Sequence, residues 1–153
     1  MILLIFVNFI GGVGINNTFF EILFYMLSMM CVGFLEEIIF RGFLFKMMAK
    51  DSLKSAIIVT TITFGIGHII NLFNGADLIP TLVQICYAMA VGYLFVMILI
   101  KSKSLWPCII THSLLNSLSI FGVGSGIVYE IVVSILLIGI SLLYVRYIKN
   151  LKL

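Results

Sequence analysis

Long apolar runs separated by short polar breaks dominate the chain: Phe19 to Phe45, Leu53 to Phe73, Leu78 to Ile100, Leu105 to Phe121 and Ile127 to Ile148. Each approaches or exceeds the roughly 20 residues that a helix needs to cross hydrocarbon. The pattern therefore predicts five transmembrane helices. An open sheet would leave its edge groups unpaired in lipid, and the strict alternation of a barrel strand is missing from these runs. Local signals mark the helix starts: Asp51 or Ser52 can cap the second long helix, Asp77 stands before Pro80, and Ser104 stands before Pro107.

Met1 to Ile10 is also apolar, but it is too short to span, lacks a basic flank and runs into Gly11, Gly12 and Gly14. It reads as a partial or interfacial segment rather than a secretory signal. The expected fold is an all-α membrane protein, a polytopic bundle of five transmembrane helices plus a short apolar N-terminal segment. Residues 1–18 form that segment and residues 19–153 the transmembrane core.

Composition points the same way, since 63% of the 153 residues are hydrophobic and only 10% are charged, which makes lipid the solvent. Charge then orients the helices. Apart from Arg41, the basic residues fall at Lys46, Lys50 and Lys54, at Lys101 and Lys103, and at Arg146, Lys149 and Lys152. Alternating across five spans puts all three clusters on one face, which the positive-inside rule makes cytoplasmic. The expected location is thus an integral membrane protein with the 46–54 and 101–103 loops and the C-terminus in the cytoplasm. Seven lysines against two arginines, with abundant Ile, Phe and Asn, suggest an AT-rich bacterial genome and hence a bacterial plasma membrane. Cys31, Cys86 and Cys108 are scattered inside predicted spans, so neither a disulfide framework nor a CxxC metal pattern is present.

Against this background a few side chains stand out. The first long helix reads CVGFLEEIIFRGFLF, with Glu36, Glu37 and Arg41 between strongly apolar flanks. A charge at the centre of a span costs about 2.5–3.5 kcal/mol on insertion scales, so such residues pair or face a wet interior. Glu37 and Arg41 lie four apart on one face and form an expected ion pair, whereas Glu36 points elsewhere and is left for chemistry. The second helix carries Phe64 and His68, and the fourth carries His112 and Asn116 on one face. Taken singly, each could be packing: a hydrogen-bonded core histidine, or an interhelical seam with Ser113, Ser117 and Ser119. Depth links them. At 1.5 Å per residue from the lysines, Glu36 lies roughly 15 Å in, His68 roughly 20 Å, His112 roughly 13 Å and Asn116 roughly 20 Å. One layer of the bilayer would then hold an acid, two imidazoles and an amide, the set a hydrolytic site requires: Glu36 and His68 can activate water, and His112 with Asn116 can donate to an oxyanion.

The three motifs EExxxR (Glu36, Glu37, Arg41), FxxxH (Phe64, His68) and HxxxN (His112, Asn116) resemble those of the CPBP family, the CAAX prenyl protease and bacteriocin-processing (Abi) intramembrane endopeptidases. They occur in family order and cover Leu23 to about Asn116. The resemblance implies hydrolysis of a peptide bond in a membrane-proximal or membrane-embedded peptide, with the same four residues as the catalytic set. Its partners would be the lipid bilayer and a peptide or protein substrate, with no nucleic acid; a homo-oligomer or a helper membrane protein is left open, because complete helices ahead of the Glu-Glu helix are missing relative to fuller members. Family members are often labelled metallopeptidases, and Glu36, His68 and His112 would make a two-His, one-carboxylate set for a divalent metal such as zinc. No cofactor is favoured: a ligating Glu36 would leave the site without a base, and no HExxH motif is present. Three other readings compete: a non-catalytic immunity or peptide-binding membrane protein using the same polar layer, a proton-coupled transporter, and a Cys108–His112 thiol dyad.

Overall fold

The computed structural model describes residues 1–151, which are almost entirely helical. Four helical stretches are long and apolar enough to cross a membrane: Phe19–Met48, Leu53–Phe73, Leu78–Ser102 and Ile127–Asn150. The first is not uniform. It runs as α2 (Phe19–Glu37), a π-helical segment (Ile38–Phe45) and a last turn, α3 (Lys46–Met48). The second stretch is α4 (Leu53–Gly67), broken at His68 and resumed as α5 (Ile70–Phe73). The third and fourth are α6 (Leu78–Ser102) and α8 (Ile127–Asn150).

The fifth expected span, over Leu105 to Phe121, is not among these four. Over Leu105 to Phe121 the chain forms α7 (Trp106–Ser117), 12 residues long, followed by a 3-10 turn at Leu118–Phe121. Twelve residues rise about 18 Å, well short of the roughly 30 Å of hydrocarbon. Helix α7 nevertheless carries the chain from the C-terminal end of α6 toward the first turn of α8, at opposite ends of the bundle, with Thr111, His112, Ser113 and Ser117 buried inside.

Capping residues set the helix starts. Thr18 and Glu21 form a reciprocal capping box at α2, in which the Thr18 N–H and hydroxyl both donate to Glu21 Oε2, at 2.7 and 2.8 Å. Ser52 accepts from the Ser55 N–H at 3.2 Å and caps α4. Asp77 precedes α6 without capping it through its side chain, and Pro107 sits in the first turn of α7.

Helix α6 is the centre of the bundle. Val91, Leu94, Phe95, Met97 and Ile98 join one core with Cys108 and Leu115 of α7 and Leu137 and Val145 of α8, while Val96 and Leu99 join a second core with Phe45 and Ala56. The N-terminal segment belongs to the first core: Leu4 and Val7 of the short helix α1 (Ile2–Phe6) and the turn after it (Val7–Phe9) are fully or almost fully buried. Asn8 Nδ2 ties this segment to α7 by donating to Leu115 O at 2.7 Å. The C-terminal ends of α6 and α8 meet, with Lys101 Nζ donating to Leu151 O at 3.0 Å.

Two helices approach closely where glycine permits it. A Cβ at Gly33 of α2 would lie 2.8 Å from the Ser113 backbone N and 2.9 Å from its Cα, so α7 packs directly on the backbone of α2 next to His112. Gly139 on α8 has open space instead. Gly33→Ala should therefore lower the unfolding temperature in detergent, by an overpacking cost of about 1–3 kcal/mol. Gly139→Ala should leave it unchanged or raise it slightly. Thermal unfolding of the two purified variants checks this, and an unaffected Gly33→Ala would mean that α2 and α7 are not in that contact.

Candidate active site

The two adjacent glutamates close the α-helical part of α2 and have opposite surroundings. Glu37 turns inward and is fully buried, as is Arg41, which sits within the π segment. Arg41 Nη1 donates to Glu37 Oε1 at 3.0 Å. The guanidinium has little else to bond. Its Cζ lies 4.0 Å from the centroid of Phe64, 5.6 Å from Phe95 and 6.0 Å from Phe40, so aromatic faces surround the charge. Such contacts contribute about 2 kcal/mol when desolvated, which partly offsets the loss of water. Room for the guanidinium comes from Gly92 of α6, where a Cβ would come within 2.8 Å of Phe64 Cδ1 and 3.0 Å of Arg41 Nη2.

Glu37 Oε1 has a second donor. His112 Nδ1, from α7, lies 2.9 Å away, which joins α2 and α7 through one carboxylate oxygen. With Nδ1 donating, the other ring nitrogen is turned toward Glu36: Nε2 stands 3.6 Å from Glu36 Oε2, close enough for attraction but too long for a hydrogen bond. The imidazole is wedged between Phe64 and Phe95, each 5.7 Å away by ring centroid. Its side chain is 5% exposed, whereas that of Glu36 is 31% exposed. Only one of the two glutamates is thus open to an incoming molecule.

His68 occupies the break after α4. The helix is drawn against α6 at Gly65, where a Cβ would collide with Met89 and lie 3.0 Å from Ile85 O. It then ends at Gly67, so that His68 becomes the C-cap rather than a mid-helix residue. Its Nδ1 is 3.1 Å from Phe64 O and donates to it, which fixes the tautomer and leaves Nε2 as an acceptor.

Glu36, His68, His112 and Asn116 line one cavity of about 550 Å³. Glu37 and Arg41 are not among its lining residues and stand behind its wall. Asn116 is held through its own backbone: Ser119 Oγ donates to Asn116 O at 2.7 Å, and Tyr25 Oη, 2.8 Å from Ser119 Oγ, supplies the donor that Ser119 then needs. Cys108 faces elsewhere, its thiol donating to Phe95 O at 3.3 Å, which separates it from the cavity and from a dyad with His112.

Further polar residues line the same space without having been singled out from the sequence, namely Asn8, Tyr25, Asn71 and Gln84, together with Ser119 of the expected serine seam. Asn71 Nδ2 donates to Gln84 Oε1 at 2.8 Å and so joins the short helix α5 to α6. Asn71 and Gln84 carried a usable signal, being uncharged polar residues inside apolar runs. Asn8 did not, because it belongs to a segment that looked interfacial. Among the described residues, no three His, Cys, Asp or Glu side chains converge into a group able to hold a metal ion. Glu36, His68 and His112 do not form such a group.

Comparison with known proteins agrees with this architecture. A family model described as type II CAAX prenyl endopeptidase Rce1-like matches residues 18–118, from the cap of α2 to the end of α7. The match spans the EExxxR, FxxxH and HxxxN motifs together. Nothing among curated proteins and nothing among solved structures matches the chain. With two thirds of its length inside that family model and four apolar helices able to cross a membrane, the chain belongs to the type II CAAX prenyl endopeptidase Rce1-like family, and is an integral membrane protein of a protease family.

Proposed function

We propose that the protein hydrolyses a peptide bond in a substrate that enters the cavity from the membrane, with Glu36 as general base. The observation that carries this reading is the convergence of Glu36, His68, His112 and Asn116 on one cavity while Glu37 is withdrawn behind its wall. Glu36 takes a proton from water as the water oxygen bonds to the peptide carbon. His68, with Nδ1 engaged by Phe64 O, offers Nε2 to hold the same water. Asn116 donates from its carboxamide to the developing oxyanion. His112 adds a second donor from Nε2 when both of its nitrogens carry protons, since Nδ1 is already given to Glu37. When the C–N bond breaks, Glu36 returns its proton to the leaving amine, so protons balance over the cycle.

In this reading water is activated without a metal. The substrate is a membrane-proximal peptide, and the lysine-bearing ends of α3, α4, α6 and α8 face the cytoplasm. The N-terminal segment, seated against α6, α7 and α8, helps close the cavity through Asn8.

A quenched peptide and the purified protein in detergent provide the test. Glu36→Ala and His68→Ala should each lower kcat by about 10²–10⁴-fold. Asn116→Ala should lower it by about 10²–10³-fold with little change in KM. Full activity in Glu36→Ala would end the general-base assignment. Cleavage should also persist in a strong chelator; loss on chelation, restored by added zinc, would replace the metal-free mechanism. An intact protective phenotype in Glu36→Gln cells, with no cleavage by wild type, would favour a peptide-binding or immunity role.

A further inference from the structure

A second cavity, of about 270 Å³, lies between the first turns of α6 and α8. Gln84, Tyr87 and Val133 line both cavities, so the two share a wall and lie side by side along these helices. The only ionisable carboxylate among its lining residues is Glu130, in the first turn of α8.

The surroundings of Glu130 are unusual for a helix-terminal acid. The positive end of α8 favours a carboxylate there, but it supplies no hydrogen-bond donor to Oε2, which is buried without a partner among the described residues. Three of the hydroxyls lining the cavity donate elsewhere, and that of Tyr87 makes no hydrogen bond to Glu130. Thr81 donates to Asp77 O at 2.8 Å, Tyr129 to Asn8 O at 3.3 Å, and Ser134 to the backbone O of Glu130 itself at 2.7 Å. Gln84 is held through its Oε1 by Asn71, and its Nε2 makes no hydrogen bond to Glu130. No salt bridge to Glu130 occurs among the described residues, and the described lysines lie near the other ends of these helices. A donor that enters the cavity can satisfy this oxygen, and a cationic one makes the strongest bond to a carboxylate.

We infer that this second cavity is a specificity subsite in which Glu130 takes the basic side chain, Lys or Arg, of the peptide substrate. The inference rests on the peptidase reading, in that it presumes a peptide in the first cavity. Leu137 of the first cavity and Glu130 of the second are two helical turns apart, about 10 Å, which an extended peptide covers in about three residues. The basic residue therefore stands about three positions from the peptide residue that lies beside Leu137.

The experiment uses the full chain in detergent and pairs of quenched peptides that differ only in Lys or Gln, placed in turn at each position within about four residues of the scissile bond. Binding is read by fluorescence anisotropy and cleavage in parallel. At one of these positions, wild type should bind the Lys peptide about tenfold more tightly than the Gln peptide. Glu130→Gln should bring the ratio close to one, and Glu130→Lys should favour a third peptide carrying Glu. If wild type binds Lys and Gln peptides alike at every position, or if the preference survives in Glu130→Gln, the subsite is overturned, even where cleavage proceeds. If the preference appears and depends on Glu130 but no peptide is cleaved, the subsite stands and the peptidase reading falls.

Discussion

One carboxylate oxygen, Glu37 Oε1, organises the interior of this protein. It accepts from Arg41 on its own helix and from His112 on α7, in a place with no access to water. Each element around it is shaped to that contact. The π segment carries Arg41, α4 supplies Phe64, and α6 contributes Phe95 together with the missing side chain at Gly92. A buried ion pair gains little net stability because desolvation opposes attraction, but removal of one partner costs about 3–5 kcal/mol since the other charge is stranded. The cluster is therefore better understood as fixing one arrangement of helices than as a source of overall stability.

This arrangement also explains why two neighbouring glutamates differ. Because Glu37 is held behind the cavity wall, Glu36, the preceding residue, is turned to the cavity. His112 lies between them, with one nitrogen on each side. The same bond that locks α7 to α2 thus sets the orientation of the imidazole that faces Glu36. The absence of a side chain at Gly33 lets α7 come close enough for that bond.

Much of this was legible in the sequence, and the rest was not for identifiable reasons. The apolar runs marked the four membrane-length helices, and the i, i+4 spacing of Glu37 and Arg41 placed them on one face. Over Leu105 to Phe121, length alone does not reveal that the polar face is turned inward and that the α-helix stops at Ser117, with a 3-10 turn after it. The π segment leaves no propensity signal, and the contact between His112 and Glu37 is a meeting of helices that no single-helix periodicity encodes. Likewise, His68 looked like a mid-helix residue until the close approach at Gly65 and the end of α4 at Gly67 made it a cap. The burial of Leu4 and Val7 depends on partners far along the chain, so a short apolar segment gave no hint of it. The capping box of Thr18 and Glu21, by contrast, follows the ordinary TxxE pattern.

In the proposed mechanism, Glu37 positions His112 for the chemistry at Glu36 while neutralising Arg41. Glu37→Gln keeps the shape and removes the charge, so kcat, KM and the unfolding temperature measured on one purified sample test it directly. The account predicts a kcat lower by at least about tenfold, from misplacement of the imidazole, with KM close to wild type and a clearly reduced unfolding temperature. Wild-type kcat together with a wild-type unfolding temperature would contradict it.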